Sequence, residues 1–231
     1  DPEDDQIFPI CTGTLISPTV FLTAAHCTAF YVQDLAPEGF TAFVSFDSPI
    51  GWGDETDLGS TDLLAVDQAV TNPGATWRQS DPQDLGVLIL EDPVAITPAT
   101  LPTLGLLDQL NAQKALRGAT FTSVGYGVQD RVVGGGPPFF LDANPIPRMF
   151  AFGSFFALSP GYLRLSMNST LGDGGTCYGD SGGPNFTTVN GQQILVATTV
   201  TGDIPCRATN VVQRLDIASV RAFLDDYVTL P

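Results

Sequence analysis

The sequence has one histidine, His26, and one lysine, Lys114. A single imidazole excludes any metal centre built from several histidines and leaves one candidate wherever an imidazole base is needed. Cations are scarce altogether: 9 Lys and Arg stand against 25 Asp and Glu, a net charge of −16. That excess argues against nucleic acid and anionic membranes as partners, and favours solubility or cationic substrates. No run of about 18 apolar residues occurs, so no membrane-spanning helix is expected. The chain opens Asp1-Pro2-Glu3-Asp4-Asp5 with no basic and then apolar leader, so any targeting segment is expected to be gone already. Cys-x-x-Cys spacing is missing too. Cys11, Cys27, Cys177 and Cys206 therefore point to disulfides and an oxidising compartment rather than to zinc, with three pairings open. No metal or other cofactor is expected.

A length of 231 residues with 43% hydrophobic content suffices for one large all-β domain or two small barrels. Short apolar runs at 14–16 and 20–23, split by Ser17-Pro18-Thr19, predict two strands joined by a turn. They lead into Thr23-Ala24-Ala25-His26-Cys27, just past the second strand, where small residues clear space around the ring. Strands are also expected at 41–46, 63–70, 119–124, 149–156, 161–167, 193–201 and 210–215. Residues 47–62 form a loop with five acids, Asp47, Asp54, Glu55, Asp57 and Asp62, read as solvated; calcium binding is the sharper alternative, without the spacing of a calcium loop. The Pro- and Leu-rich stretch 91–117 reads as a linker between two halves, and 132–138 as a Gly/Pro turn. At the C-terminus Ile217, Val220, Phe223, Leu224 and Tyr227 recur at helical spacing, with Asp216 expected as N-cap. Sequons stand at Asn168 and Asn185; the second is expected on a buried strand and unglycosylated.

Two further stretches carry chemistry. Asp84 directly precedes the apolar run Leu85-Gly86-Val87-Leu88-Ile89-Leu90, where a carboxylate is costly unless paired, and an imidazole N–H would be a suitable partner. Residues 177–184 read Cys177-Tyr178-Gly179-Asp180-Ser181-Gly182-Gly183-Pro184. A serine hydroxyl becomes a nucleophile only with a base, and its oxyanion needs backbone N–H donors held ready. Gly179 can take a conformation that turns its N–H toward the same point as that of Ser181.

Taken in order, Leu22-Thr23-Ala24-Ala25-His26-Cys27, Asp84 with its strand, Gly125-Tyr126-Gly127, Gly179-Asp180-Ser181-Gly182-Gly183-Pro184 and the C-terminal helix resemble the chymotrypsin-like (trypsin-like) serine peptidases. The resemblance covers nearly the whole chain. It implies an all-β fold of two six-stranded antiparallel β-barrels with a C-terminal α-helix, divided 1–108, 109–215 and 216–231, with the active site between the barrels. It implies disulfides Cys11–Cys27 and Cys177–Cys206. It implies a triad of Ser181 as nucleophile, His26 as base and Asp84 as its orienting carboxylate, with an oxyanion hole from the N–H groups of Gly179 and Ser181. A secreted, monomeric endopeptidase acting on protein or peptide substrates, and open to protein inhibitors, is the expected function; a catalytically inactive binding protein on the same scaffold is the alternative.

The resemblance also places Gly175 at the base of the primary specificity pocket, Thr176 beside it, and Gly202 and Asn210 on its walls. With no carboxylate at the base, cleavage after uncharged, medium-sized apolar residues is expected, and Asp203 at the rim is the one group that could attract a basic side chain. Three departures from the family pattern stand out. Tyr126 replaces a tryptophan, Thr199-Val200-Thr201-Gly202 replaces a Ser-Trp-Gly segment, and a third common disulfide is missing. Asp180 corresponds to the aspartate that pairs with a freed apolar N-terminus in the family. Only ten residues precede Cys11 and none has that sequence, so the expectation is either that a preceding segment was cut away or left out, or that Asp180 finds another partner; lacking one, the oxyanion donors are expected to be disordered.

Overall fold

A computed structural model describes residues 6–54, 57–76, 82–128 and 144–231. The turn expected at 132–138, the residues 80 and 81 ahead of Asp84, and Glu55 of the acidic loop lie outside them. The first half is an antiparallel sheet of β1 (Thr14–Ser17), β2 (Val20–Thr23), β3 (Phe43–Val44), β4 (Leu64–Thr71) and β5 (Gly86–Leu90), in the order β1-β2-β5-β4-β3. The second is a closed antiparallel barrel of β6 (Thr120–Gly125), β7 (Met149–Leu158), β8 (Tyr162–Ser166), β9 (Pro184–Val189), β10 (Gln192–Gly202) and β11 (Thr209–Arg214), in the order β10-β11-β8-β7-β6-β9. The all-β, two-unit expectation holds. The first unit, however, has five strands among the described residues. Its β3 is only two residues long where a strand over 41–46 was expected. The Ser45 Oγ accepts the N–H of Asp47 and draws the chain out of the ladder, and Pro49 beyond it has no N–H to offer a neighbour.

Alternation along the strands sorts side chains into three apolar clusters. One lies under the first sheet, around Leu15, Val44 and Leu90, and a second fills the barrel, around Phe121, Leu163, Leu165, Val196 and Val212. The third joins the units: Val20, Leu22, Leu85 and Val87 of the first meet Leu195 and Leu215 of the barrel, and Val220, Phe223 and Leu224 of a C-terminal helix. At roughly 1.5–3 kcal/mol per fully buried aliphatic or Phe side chain, this shared core is the main force holding the halves together.

Two helices were not anticipated. One, α1 (Ala25–Phe30), follows β2 directly and carries His26 in its first turn. The other, α2 (Leu106–Ala112), lies inside the stretch read as a linker, and its Leu107 is fully buried in the barrel core together with Leu116. The C-terminal helix, α3 (Ala218–Leu224), is present, but Asp216 does not cap it. Its carboxylate turns inward. Oδ2 accepts the N–H of Leu107 at 2.8 Å, and both oxygens accept from the Arg214 guanidinium at 2.9 Å. Arg214, 2% exposed, also donates to Asp108 at 2.6 and 3.2 Å, clamping α2 to the end of β11. A buried guanidinium attracts a carboxylate more strongly than three exposed helix N–H groups can, which is why the cap is lost.

Removing one member of such a buried pair strands the other without a partner. Arg214→Ala is therefore expected to lower unfolding stability by about 3–5 kcal/mol, measured by urea denaturation; a loss within error of zero would contradict the clamp.

Candidate active site

The register of the first sheet brings His26 and Asp84 to one place. Thr23 at the end of β2 pairs with Gly86 at the start of β5, so the residues just after the one and just before the other emerge together. Gly86 has no Cβ, and one there would collide with the Thr28 side chain, so this glycine lets α1 lie close over β5. Both oxygens of Asp84 then hold the same residue. Oδ1 accepts the His26 backbone N–H at 2.9 Å and Oδ2 faces His26 Nδ1 at 2.9 Å. An ionised carboxylate only accepts, so Nδ1 carries the proton and Nε2 is left as the basic nitrogen. Asp84 is 5% exposed, and its own N–H donates to Oε1 of the fully buried Gln213 at 3.3 Å. The partner that its costly position called for is therefore present.

His26 is braced on its other side by the Cys11–Cys27 disulfide. A ring nitrogen and the two sulfurs lie within 4.8 Å of one another, but sulfurs bonded to each other are not thiolate ligands, so this cluster is no metal site. Among the described residues, the carboxylates of 47–62 form no such cluster either: Asp47 accepts the N–H of Asp62, and Asp54 accepts that of Asp57 at 3.2 Å.

The loop between β8 and β9 delivers Ser181, and Thr12 ties that loop to the first sheet. The Thr12 N–H donates to Ser181 O at 2.8 Å, its Oγ1 to Gly179 O at 2.8 Å, and its carbonyl accepts from Thr23 Oγ1 at 2.8 Å. Gly182, at φ +83°, sits so tightly against Thr12 and Thr23 that a Cβ would overlap both and come 2.8 Å from Ala24 N. Ser181 is thereby held against the segment that leads into His26. Gly179, at φ +91°, takes the left-handed conformation expected of it. Among the described residues, the N–H groups of Gly179 and Ser181 donate to no acceptor, while those of Asp180, Gly182 and Gly183 all do.

Asp180, 8% exposed, supports this loop from behind. Its oxygens accept the N–H groups of Gly127 and Cys177, each at 2.9 Å. A Cβ on Gly125 would strike the carboxylate, and one on Gly127 would lie 2.5 Å from its Cγ, which explains the glycines around Tyr126. Burial raises the Asp180 pKa above its ordinary value, and the N–H groups of Cys177 and Gly127 offset only part of that rise. Among the described residues its partners are backbone donors and no Lys or Arg pairs with it. Tyr126, in the tryptophan's place, donates from its hydroxyl to Asp47 O at 2.7 Å, a second tie between the halves.

Of the four residues expected to line a specificity pocket, Gly175, Thr176 and Gly202 gather around one side chain, that of Met167. Asn210 does not join them. It is 1% exposed and points into the barrel, where its Nδ2 donates to Asn185 Oδ1 at 3.3 Å, beside Ser123 and Thr199. Polar side chains clustered there offer it a hydrogen bond that a pocket wall would not. Asn185 itself is fully buried, in keeping with an unused sequon. The disulfide Cys177–Cys206 joins the Ser181 loop to the loop after β10. Within that second loop, the Asp203 carboxylate accepts the N–H groups of Arg207, Ala208 and Thr209 at 2.7–3.0 Å, so it is occupied by its own turn rather than presented to a ligand. Partial burial pushes the Asp203 carboxyl up, but the donors of Thr209, Arg207 and Ala208 outweigh it and hold the pKa below its ordinary value. A depressed carboxyl contributes stability above its unfolded pKa and loses it as the pH falls through the folded one. Asp203→Ala should therefore lower the thermal midpoint at pH 7 and lose most of that effect below about pH 3.8; a difference that stays constant with pH in thermal unfolding would contradict this role.

With this geometry in view, comparison with known proteins is informative. A family model described as Trypsin matches residues 4–219. A vitellin-degrading protease from Bombyx mori is 28% identical over 181 residues, a match covering 75% of this chain and 61% of the relative. The chain thus spans about three fifths of the length of that relative. A match over 4–219 leaves only the two ends of the chain uncovered, and it coincides with a barrel, a partner sheet and two disulfides arranged as the family resemblance implies. The chain belongs to the trypsin family.

Proposed function

We propose that the protein is a secreted serine endopeptidase that cleaves peptide bonds through an acyl-enzyme, with His26, Asp84 and Ser181 as its triad. The observation that carries this is the grip of Asp84 on both the backbone N–H and the Nδ1–H of His26, which makes Nε2 the nitrogen available to act as the base. Ser181 Oγ bonds to the scissile carbonyl carbon while its proton passes to His26 Nε2. The carbonyl oxygen becomes an oxyanion and takes the unspent N–H groups of Gly179 and Ser181; each such donor is worth about 10²–10³ in rate. As the C–N bond breaks, His26 returns the proton to the leaving amine. Water then attacks the acyl carbonyl carbon as its proton passes to His26, and when the bond to Ser181 Oγ breaks, His26 returns that proton to Oγ and the acyl group leaves as a carboxylic acid. Asp84 remains ionised throughout and stabilises the imidazolium. Asp180 keeps the oxyanion donors in place through Gly127 and Cys177.

Two disulfides and the lack of a helix long and apolar enough to cross a membrane, among the described residues, support an extracellular setting. The missing carboxylate at Gly175 and the occupied one at Asp203 support cleavage after uncharged side chains.

Ser181→Ala is expected to abolish labelling by a fluorophosphonate and hydrolysis of casein. Persistent labelling of the variant would overturn the nucleophile assignment, and absence of both activities from the unmutated protein would favour a binding role. Asp84→Asn should keep the fold and lower kcat by about 10⁴, the loss seen on such a change in a related triad. Gly127→Ala, which forces Asp180 out of its seat, should reduce kcat/KM by about 10²–10³, the worth of one oxyanion donor, measured below the variant's lowered thermal midpoint where it is fully folded; unchanged kcat/KM would mean that Asp180 does not support the hole.

A further inference from the structure

Gly175, Thr176 and Gly202 lie around Met167, a residue that the sequence pattern assigns only to the inner face of a strand. In β8 and just past it, Leu163, Leu165 and Met167 alternate inward, and Met167 is 4% exposed. Its backbone is fixed by an N–H bond to Ala208 O at 2.9 Å. The side chain then leaves the barrel core. Its Sδ accepts the N–H of Thr176 at 3.2 Å, and a Cβ built on Gly175 would overlap its Cγ and Sδ. Its Cε reaches to 3.7 Å from a Cβ built on Gly202. The thioether therefore occupies the volume into which a side chain at position 175 would project, and it spans from there to the opposite wall.

We propose that Met167 is the floor of the primary specificity pocket and limits it to small aliphatic side chains, alanine and valine, at the residue before the cleaved bond. This rests on the peptidase reading above. A residue at 175 would have set the depth of the slot from below; its absence is made up by a group inserted from β8. An unbranched thioether is apolar and polarisable, with no donor and only a weak acceptor that Thr176 already uses. It offers nothing to a lysine or arginine head, and Asp203 is held by its own turn. A phenylalanine ring would have to displace a side chain that is buried and hydrogen-bonded.

The test uses the complete chain with a series of fluorogenic peptides that differ only in Ala, Val, Leu, Phe or Lys before the scissile bond. The unmutated protein is expected to favour Ala and Val over Phe by about tenfold or more in kcat/KM. Met167→Ala should raise the Phe/Ala ratio of kcat/KM by about tenfold or more, while Met167→Leu, close in volume, should leave it near the starting value. A ratio has the virtue that a general loss of activity cancels from it. Should Met167→Ala fail to fold, Met167→Val removes less of the side chain and carries the same comparison. An unchanged Phe/Ala ratio in a folded, labelled variant overturns the role of Met167 alone, as does a dominant Lys preference in the unmutated protein. Failure of the unmutated protein to show Ser181-dependent fluorophosphonate labelling overturns both this and the peptidase reading.

Discussion

The site is divided between two units, so it is only as well defined as the contact that joins them. His26 and Asp84 come from the first sheet, while Ser181, Gly179 and Asp180 come from the barrel. What holds the two in register is the apolar seam formed by Leu22, Leu85 and Val87 on one side and by Leu195, Leu215 and the inner face of α3 on the other. Leu22 and Val87 are paired across β2 and β5 on the ladder that ends in Thr23 and Gly86, a few residues from His26 and Asp84. The same strands that bury the seam thus aim the polar residues, and non-directional hydrophobic burial is converted into a directed arrangement by strand register.

Polar contacts then refine what burial has assembled. Arg214 fastens α2 to the barrel, and Tyr126 reaches from the barrel turn to Asp47 in the first unit. Asp180 links the turn at 125–127 to the Ser181 loop, through backbone donors alone among the described residues. Arg214 and Asp180 are buried and Tyr126 is half-buried. Their value lies in geometry more than in net stability, since desolvation offsets much of what the bonds return.

Much of this was legible beforehand, and the pattern of what was not is physical. The single histidine, the Asp84 that leads into a buried strand and the glycine-flanked Ser181 could be read because their chemistry is local: each residue type is costly or unusual in its immediate setting. The strands of the second barrel could be read from alternation and their closure into a barrel from the family resemblance, and α3 from its helical spacing. What escaped depends on partners far away in the chain. Asp216 looked like a cap because nothing nearby announces Arg214 as a buried cation that also binds Asp108. Met167 stood in the sequence only as the last residue of the strand expected over 161–167, because its destination depends on the absence of a side chain at Gly175. Asn210 was placed on a pocket wall, although Asn185 and Ser123 in the barrel interior supply the polar company that draws it inward. The helix α2 hid in a Pro-rich stretch whose apolar residues face a core formed by other strands.

Thr12 has a consequence that reaches beyond the site's geometry. Its N–H, its hydroxyl and its carbonyl engage Ser181, Gly179 and Thr23 in turn, one residue from the Cys11–Cys27 crosslink. Any displacement of the first sheet against the barrel therefore acts on the Ser181 loop directly as well as on the apolar seam behind it.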